Sequence, residues 1–295
     1  MIKTQGRAAV APVAEPAVAV PVEEPVAATI MGIEDRAVED SALEFKLCVA
    51  AIPAALALGL VFHVLTPGLQ RIFLGMPIHE LGHAITAWFC GYTAMPTLWK
   101  TLVAEDPGWI APIALGGALG TMMVRAYLAG KLYLVVFGAA LLVVQGIGTF
   151  YIRESTAQML FAFGGDGMGM VLATVLMSTF FFGKRTQLYK GWLRWGFLMI
   201  GAAAFADMFG TWWAARSDTG KIPYGEIEGV GLSDSARLVE WHGWTTKELV
   251  RRYLTVGVSC LVALALVYAW GVRQAFLKAK PGSDPGKPEP GKIGV

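Results

Sequence analysis

The sequence predicts an all-α protein that crosses a membrane as a bundle of six or seven helices, with disordered N- and C-terminal tails. Apolar residues make up 55 % of the chain and charged residues only 16 %, and the mean hydropathy is +0.54. This composition is typical of a polytopic membrane protein and excludes an ordinary soluble domain. Several apolar segments also approach the ~20 residues that span a hydrocarbon core. They cover residues 47–65, 72–92, 108–127, 131–152, 157–183, 191–214 and 252–272.

The two ends of the chain differ in composition from the apolar part. Residues 1–44 begin with a stretch rich in Ala, Pro, Val and Glu, whose prolines are spaced too closely for a helix. This stretch has no continuous apolar run with a basic start, so a cleaved signal peptide is not expected. The sequence therefore predicts a transmembrane helical domain over 45–275, between a disordered tail over 1–44 and a basic disordered tail over 276–295.

The placement of the basic residues predicts the orientation of the chain. One group lies in the short loop between the fifth and sixth apolar segments and another in the C-terminal tail. The first group is Lys184, Arg185, Lys190 and Arg194. The positive-inside rule places both groups in the cytosol and the 215–251 loop on the outer side. We therefore expect an integral membrane protein of a bacterial inner (plasma) membrane, with a cytosolic C-terminus.

The sequence His79-Glu80-Leu81-Gly82-His83 lies inside the second apolar segment. Histidines at positions i and i+4 share one face of a helix, so both imidazoles can reach one metal ion, and zinc is the usual one. Glu80 then lies near the open position of the metal, where it can hold and deprotonate a bound water. Ionisable groups at membrane depth are costly and indicate function. The alternative is a buried helix whose histidines bond to each other or to backbone carbonyls.

A catalytic zinc normally has a third protein ligand, and two acids within apolar segments are candidates. Asp166 is favoured, because the four glycines in Gly164-Gly165-Asp166-Gly167-Met168-Gly169 let the backbone approach another helix closely. Asp207 is the rival. It lies in an uninterrupted helical pattern, where a hydrogen bond between helices or a pair with a neighbouring arginine is the ordinary explanation.

The remaining histidines and the cysteines have ordinary explanations. His63 lies near the end of the first apolar segment and is expected to be packed or interfacial. His242, in the outer loop, is expected at the surface, with a role in substrate entry as the alternative. The cysteines have no CxxC spacing and are expected to be small buried residues, neither metal ligands nor a disulfide framework. They are Cys48, Cys90 and Cys260.

Three sequence features, in order, resemble the site-2 protease family of intramembrane zinc metalloproteases. They are His79-Glu80-Leu81-Gly82-His83-Ala84, Gly116-Gly117 and Asp166-Gly167, and the resemblance covers about residues 70–183. It implies that His79, His83 and Asp166 hold Zn²⁺ and that Glu80 is the catalytic base. The chain departs from the family in one respect, because LFAFGG stands where the family often has an Asn/Pro-rich stretch.

The resemblance also implies that the HExxH span and the Asp-Gly span run parallel, with one span between them. If 108–127 is a full span, two spans separate them and they run antiparallel. If 108–127 is a broken or re-entrant element around Pro112 and Gly116-Gly117, the spans number six and the two run parallel. We expect six spans with a cytosolic N-terminus.

The expected function is hydrolysis of peptide bonds by an intramembrane zinc metalloprotease. Its partners would be the lipid bilayer and a transmembrane or membrane-adjacent protein substrate. A nucleic-acid partner is not expected, because the basic residues flank apolar segments. The alternatives are a non-enzymatic metal- or haem-binding protein of transport or sensing, and an inactive protease-like scaffold. Glu80 separates them, because hydrolysis needs a base at that position and metal binding does not.

Overall fold

The computed structural model describes residues 26–182, 192–227 and 231–279, with side chains from residue 41 onward. The longer helices are α1 Val26–Leu65, α3 Met76–Phe89, α4 Ile110–Leu128, α5 Leu132–Phe150, α6 Glu154–Ser178, α7 Leu193–Ala215 and α9 Thr246–Ala279. The short ones are α2 Pro67–Gln70 and α8 Asp234–Glu240. Two small antiparallel hairpins pair β1 Ala94–Pro96 with β2 Thr101–Val103, and β3 Glu226–Ile227 with β4 Gly231–Leu232.

Six of the described helices are long and apolar enough to cross a membrane, namely the stretch of α1 from Ser41, α4, α5, α6 with its final turn, α7 and α9. The expected helical membrane architecture is confirmed at this level. Helix α3 is too short to join them as a regular helix, but α2, a π-helical turn at Arg71–Gly75 and α3 form one continuous helical segment. This segment carries the HExxH sequence.

The main core lies around α6 and α7. About half of the apolar window of each is buried, 50 % for α6 and 56 % for α7, against 17 % for α4 and for α5. Large side chains of α6, α7 and α9 that are fully buried together include Met170, Leu198, Met208, Trp212 and Tyr253. Helices α4 and α5 therefore pack at the edge of the bundle, and they leave many apolar side chains facing outward, as contact with lipid requires.

The described helices extend beyond the predicted bounds of 45–275 at both ends. Helix α1 begins at Val26, which is also where the described residues begin. Helix α9 ends at Ala279. The rest of the predicted tails, 1–25 and 280–295, lies outside the described residues.

The basic loop between α6 and α7 falls only partly within the described residues, since Lys184, Arg185 and Lys190 lie outside them. Arg194 is described, and its side chain is buried. It donates to both carboxylate oxygens of Glu44 in α1, at 2.7 and 3.2 Å. The three cysteines are buried and free of disulfides, as the sequence predicted.

The expectation of a broken or re-entrant element at 108–127 is wrong. Helix α4 is continuous from Ile110 to Leu128 and passes through Gly116-Gly117 without interruption. Pro112 lies in its first turn, where the backbone N–H groups have no partner within the helix and a proline therefore costs little. Two full helices, α4 and α5, thus separate the HExxH segment from α6.

Helices α3 and α6 run antiparallel. His79 contacts Asp166, whereas His83, one turn later in α3, contacts the backbone of Phe161, earlier in α6. The parallel arrangement that the family resemblance implied is therefore wrong for this chain. The described residues do contain six candidate spans, but helix α4 is one of them. The antiparallel contact follows from the two full helices between the segments.

Candidate metal centre

The crossing of α3 over α6 is built on glycines. A Cβ atom at Gly82 would lie 2.7 Å from the carbonyl oxygen of Gly165 and 2.9 Å from the backbone nitrogen of Gly169. Only a residue without a side chain permits this backbone-to-backbone approach, as in the small-residue contacts of membrane helices. The crossing presents the histidine-bearing face of α3 directly to α6.

The two histidines of the HExxH sequence point at one place. Their Nε2 atoms are 3.0 Å apart, and the two rings are perpendicular. His79 is buried and His83 half-buried. The expectation that both imidazoles can reach one position is met by this geometry.

The outer nitrogen of each ring faces an acceptor. His79 Nδ1 lies 2.8 Å from Asp166 Oδ1, and His83 Nδ1 lies 2.7 Å from the backbone carbonyl of Phe161. A carbonyl and a carboxylate can only accept, so each Nδ1 carries the proton and donates it. The Nε2 edge of each ring is then left to face the shared position, as in metal-binding histidines whose outer nitrogen is fixed by a partner.

Asp166 is fully engaged on the Nδ1 edge of His79. Its Oδ1 also accepts from Arg71 Nη1 at 3.2 Å, and its Oδ2 accepts from the indole nitrogen of Trp212 at 2.8 Å. Because Nδ1 and Nε2 point to opposite sides of an imidazole ring, this carboxylate does not face the point where the two Nε2 atoms converge. The ligand role of Asp166 stays a prediction, and the contacts observed are those of a residue that orients His79.

Asp207 is connected to the site through Arg71. The guanidinium Nη1 donates to Asp207 Oδ2 at 3.0 Å, so the ordinary explanation of this acid, a pair with an arginine, is the arrangement found. His63 packs beside it, with Nδ1 3.8 Å from Asp207 Oδ1. The geometry thus places both residues at the base of the site and not at the converging Nε2 atoms.

A third acid reaches the histidines from the segment between α7 and α9. Asp234, the first residue of α8, has its Oδ2 atom 3.1 Å from Nε2 of His79 and 3.1 Å from Nε2 of His83. Burial would raise the pKa of Asp234, but the attraction of His83 and hydrogen bonding with both imidazoles hold that pKa well below its usual range. One oxygen of this carboxylate therefore lies where the two rings converge.

Glu80 lies on the same side as the converging atoms. The ligand atoms of His79, Glu80 and His83 all lie within 4.8 Å of one another. The carboxylate is buried, and the Thr101 hydroxyl of β2 lies 2.8 Å from its Oε2 and 2.7 Å from the Glu80 carbonyl. The β1–β2 hairpin thus fixes the position of the acid that the sequence singled out as a base.

These residues open into a cleft of about 780 Å³. Both hairpins and α8 contribute to its wall, and His242 lines it as well, so the sequence alternative of a role at substrate entry has a geometric basis. Side chains of the wall beyond the histidines and acids include Trp99, Lys100, Tyr224, Arg237 and Trp241.

The converging histidines fit a zinc ion. Tetrahedral zinc with bonds of about 2.0–2.1 Å holds its ligand atoms about 3.3–3.4 Å apart, and imidazole with carboxylate is an ordinary donor set for it. The 3.0 Å separation of the two Nε2 atoms is within a few tenths of an ångström of that spacing. Binding would therefore require only a small adjustment of the rings.

Four residues of the site were not expected from the sequence. Arg71 flanks an apolar segment and Trp212 lies near the end of one, positions typical of the membrane interface. Thr101 and Asp234 lie in connecting segments, and Ser233-Asp234 has the pattern of an ordinary helix start. The sequence contains no signal that links any of the four to the histidines, because the contacts join distant parts of the chain.

Comparisons of the chain with family models, with curated proteins and with solved structures found no match.

Proposed function

We propose that this protein is an intramembrane zinc metalloprotease. The observation that carries the proposal is the position of Glu80, a buried carboxylate held by Thr101 beside two imidazole nitrogens that converge on one point. A site that only binds a metal has no need of this extra acid, whereas hydrolysis needs a base there. The proposal rests on the site, since α3 and α6 cross in the direction opposite to the one that the family resemblance implied.

His79 and His83 would hold the metal together with a carboxylate. Zinc at such a site supplies Lewis-acid chemistry, lowering the pKa of water toward ~7 and polarising a carbonyl. The protein contributes the orientation of the ligands. Asp166 fixes the ring of His79 and the Phe161 carbonyl fixes the ring of His83, so both imidazoles need only a small adjustment when the metal binds.

Glu80 is the proton carrier in this proposal. Its carboxylate takes a proton from the attacking water and gives it to the leaving amine of the cleaved peptide bond. The hydrogen bond from Thr101 holds one carboxylate oxygen, which leaves the other oxygen for the water. A base fixed in this way needs no change of rotamer between the two transfers.

The substrate is proposed to be a transmembrane or membrane-adjacent protein segment. A peptide in a helix hides its carbonyls in hydrogen bonds, so the segment must unwind locally before it can be cut. The cleft beside the histidines is large enough for several residues of an extended chain. We place the protein in the inner membrane of a bacterium with its C-terminus in the cytosol, on the basis of the distribution of basic residues.

The test compares Glu80→Gln with wild type for zinc content and for cleavage of a reporter transmembrane helix. Gln keeps the size and hydrogen bonding of Glu but removes the base, so zinc should remain at about one ion per chain while the rate falls by about 10²–10⁴. Glu105→Gln, at an exposed loop position, controls for the loss of one negative charge. His79→Ala should lose both zinc and activity.

A Glu80→Gln protein that cleaves at the wild-type rate would show that this glutamate is not the base. Wild-type protein that binds zinc but cleaves no reporter helix would favour the sensor or scaffold alternative. Wild-type protein that holds haem iron and no zinc would exclude the protease proposal altogether.

A further inference from the structure

We propose that Asp234 is the third protein ligand of the metal, an inference that rests on the proposed zinc site. The two histidines come from α3, but the third atom that meets their Nε2 nitrogens comes from α8, in the segment that the sequence placed outside the membrane. Asp234 Oδ2 is 3.1 Å from each Nε2, and the Nε2 atoms are 3.0 Å from each other. The three atoms form a nearly equilateral triangle.

The outer hydrogen bonds of the rings leave their Nε2 edges to this triangle. Nδ1 of His79 is engaged by Asp166 and Nδ1 of His83 by the Phe161 carbonyl. A metal-binding imidazole is held at its outer nitrogen in this way, and a carboxylate oxygen is an ordinary third donor beside two imidazoles. Three atoms that can each bind one metal ion therefore lie within 3.1 Å of one another.

The size of the triangle selects a small metal ion of the zinc type. Three ligand atoms on one face of a zinc tetrahedron are about 3.3–3.4 Å apart for bonds of about 2.0–2.1 Å. The observed edges of 3.0 and 3.1 Å are slightly shorter, and equal within 0.1 Å. Two histidines and one carboxylate leave the fourth zinc position for water, as in catalytic zinc sites.

Asp234 is carried by a firmly packed element. The following residues of α8 anchor it, since Ala236 is 3 % and Leu238 0 % exposed, and Leu238 belongs to the main core. The Ser233 side chain caps the helix by accepting from the Ala236 backbone N–H. A ligand should be held by surrounding packing in this way, because a metal site tolerates little displacement.

Asp166 takes the supporting role in this arrangement. Its carboxylate receives bonds from Arg71, Trp212 and His79 on the far edge of the His79 ring. It is therefore a positioning residue, which fixes the tautomer and orientation of one ligand. The assignment separates the two acids by function: one touches the metal and the other holds the imidazole.

The test places a thiolate at each acid and uses Co²⁺ as the probe metal. A cysteine thiolate bound to Co²⁺ gives a charge-transfer absorption in the near ultraviolet that imidazole and carboxylate ligands do not give. The longer metal–sulfur bond of about 2.3 Å partly offsets the shorter side chain. We expect the band in Asp234→Cys and not in the matched Asp166→Cys or in wild-type protein, which contains Cys48, Cys90 and Cys260.

Zinc affinity gives a second measurement that does not depend on a new side chain. Asp166→Asn should lower the affinity by about 10–100-fold, the usual effect of losing an outer partner, and Asp234→Asn should lower it further. Both substitutions keep the shape of the side chain, so folding can be compared directly with wild type.

The outcomes separate this inference from the proposed function. A charge-transfer band in Asp166→Cys but not in Asp234→Cys would overturn the assignment, as would an Asp234→Asn protein with wild-type zinc affinity. Wild-type protein that binds neither Zn²⁺ nor Co²⁺ would instead remove the metal site itself, and with it the proposed protease. In that case the Asp234 contact would be an ion pair with a protonated histidine.

Discussion

Replacing Gly165 by alanine tests the geometry of the candidate metal centre without replacing any proposed ligand. A Cβ atom at this position would lie 2.7 Å from Nε2 of His79 and 2.7 Å from Nε2 of His83, and closer still to Cε1 of His79. A carbon atom needs about 3.5 Å to a neighbouring heavy atom. The rings or the helices must therefore move apart by several tenths of an ångström.

The structure offers no easy route for that movement. The rings are held at Nδ1 by Asp166 and by the Phe161 carbonyl, and the helices are in backbone contact at Gly82. Metal–ligand distances tolerate about 0.2 Å, so we expect the zinc affinity to fall by at least about 100-fold, or about 2.7 kcal/mol.

The effect on folding should be smaller. Alanine in place of a glycine inside a helix gains about 0.5–1 kcal/mol, while the added methyl in a packed contact costs about 1–3 kcal/mol. We therefore expect a net loss of about 0–2.5 kcal/mol in the free energy of unfolding, which leaves most of the protein folded. Gly165→Ala should therefore lose most of its zinc affinity while the protein remains folded.

The assay is a competition titration of zinc on purified protein, with unfolding in mixed detergent micelles measured on the same sample. Gly120→Ala is the matched control, because a Cβ there meets nothing within 4 Å and the residue lies on α4, away from the site. If Gly165→Ala binds zinc as tightly as Gly120→Ala, the converging Nε2 atoms are not where the metal binds.

Substitutions of three further residues test the buried charges beneath the site. Asp166→Ala should lower the zinc affinity by about 10–100-fold, because His79 loses its partner. Asp207→Ala should leave the zinc content near wild type. Dialysed protein in which Asp207→Ala loses zinc and Asp166→Ala keeps it would contradict the geometry. Arg71→Met leaves two buried carboxylates without their shared guanidinium, a kind of change that costs about 3–5 kcal/mol in the free energy of unfolding. We expect a loss toward the lower end of this range, because the Arg71 side chain is itself 29 % exposed. Adding Asp207→Asn to Arg71→Met should recover part of that loss, as measured by unfolding in detergent. If the double variant is no more stable than Arg71→Met alone, the ion-pair argument is refuted.

The part of the site that follows from local spacing was predictable. His79, Glu80 and His83 come together because one helical turn separates the histidines, whatever the rest of the fold does. The close approach of the helix that carries Asp166 to another helix was also predictable, since glycines around an acid indicate such an approach. Which edge of the imidazole the acid would meet depends on the direction in which α6 crosses α3, and that direction is set by the intervening helices.

The sequence predicted the wrong crossing direction of α3 and α6 because of one helix, α4. Pro112 and Gly116-Gly117 in α4 have the composition of a break, yet the proline stands in the first turn and the glycines are tolerated in an apolar helix. The sequence does not indicate that Asp234 belongs to the site. An acid that follows a serine in a connecting segment has the same local pattern whether it only starts a helix or also reaches a metal. Its partner atoms lie in a helix far away in the sequence.

The candidate metal centre is assembled from two parts of the chain. One part is the pair of helices α3 and α6, which are in backbone contact at Gly82, and the other part is the segment that carries Asp234. The imidazoles are set by two helices that touch through their main chains, so substitutions elsewhere on those helices have little freedom to retune them. The acid of α8 arrives on a separate connecting segment that also forms part of the cleft wall. Substitutions in that one segment could therefore alter both the metal preference of the proposed site and the shape of the cleft. The contact between α3 and α6 would stay unchanged.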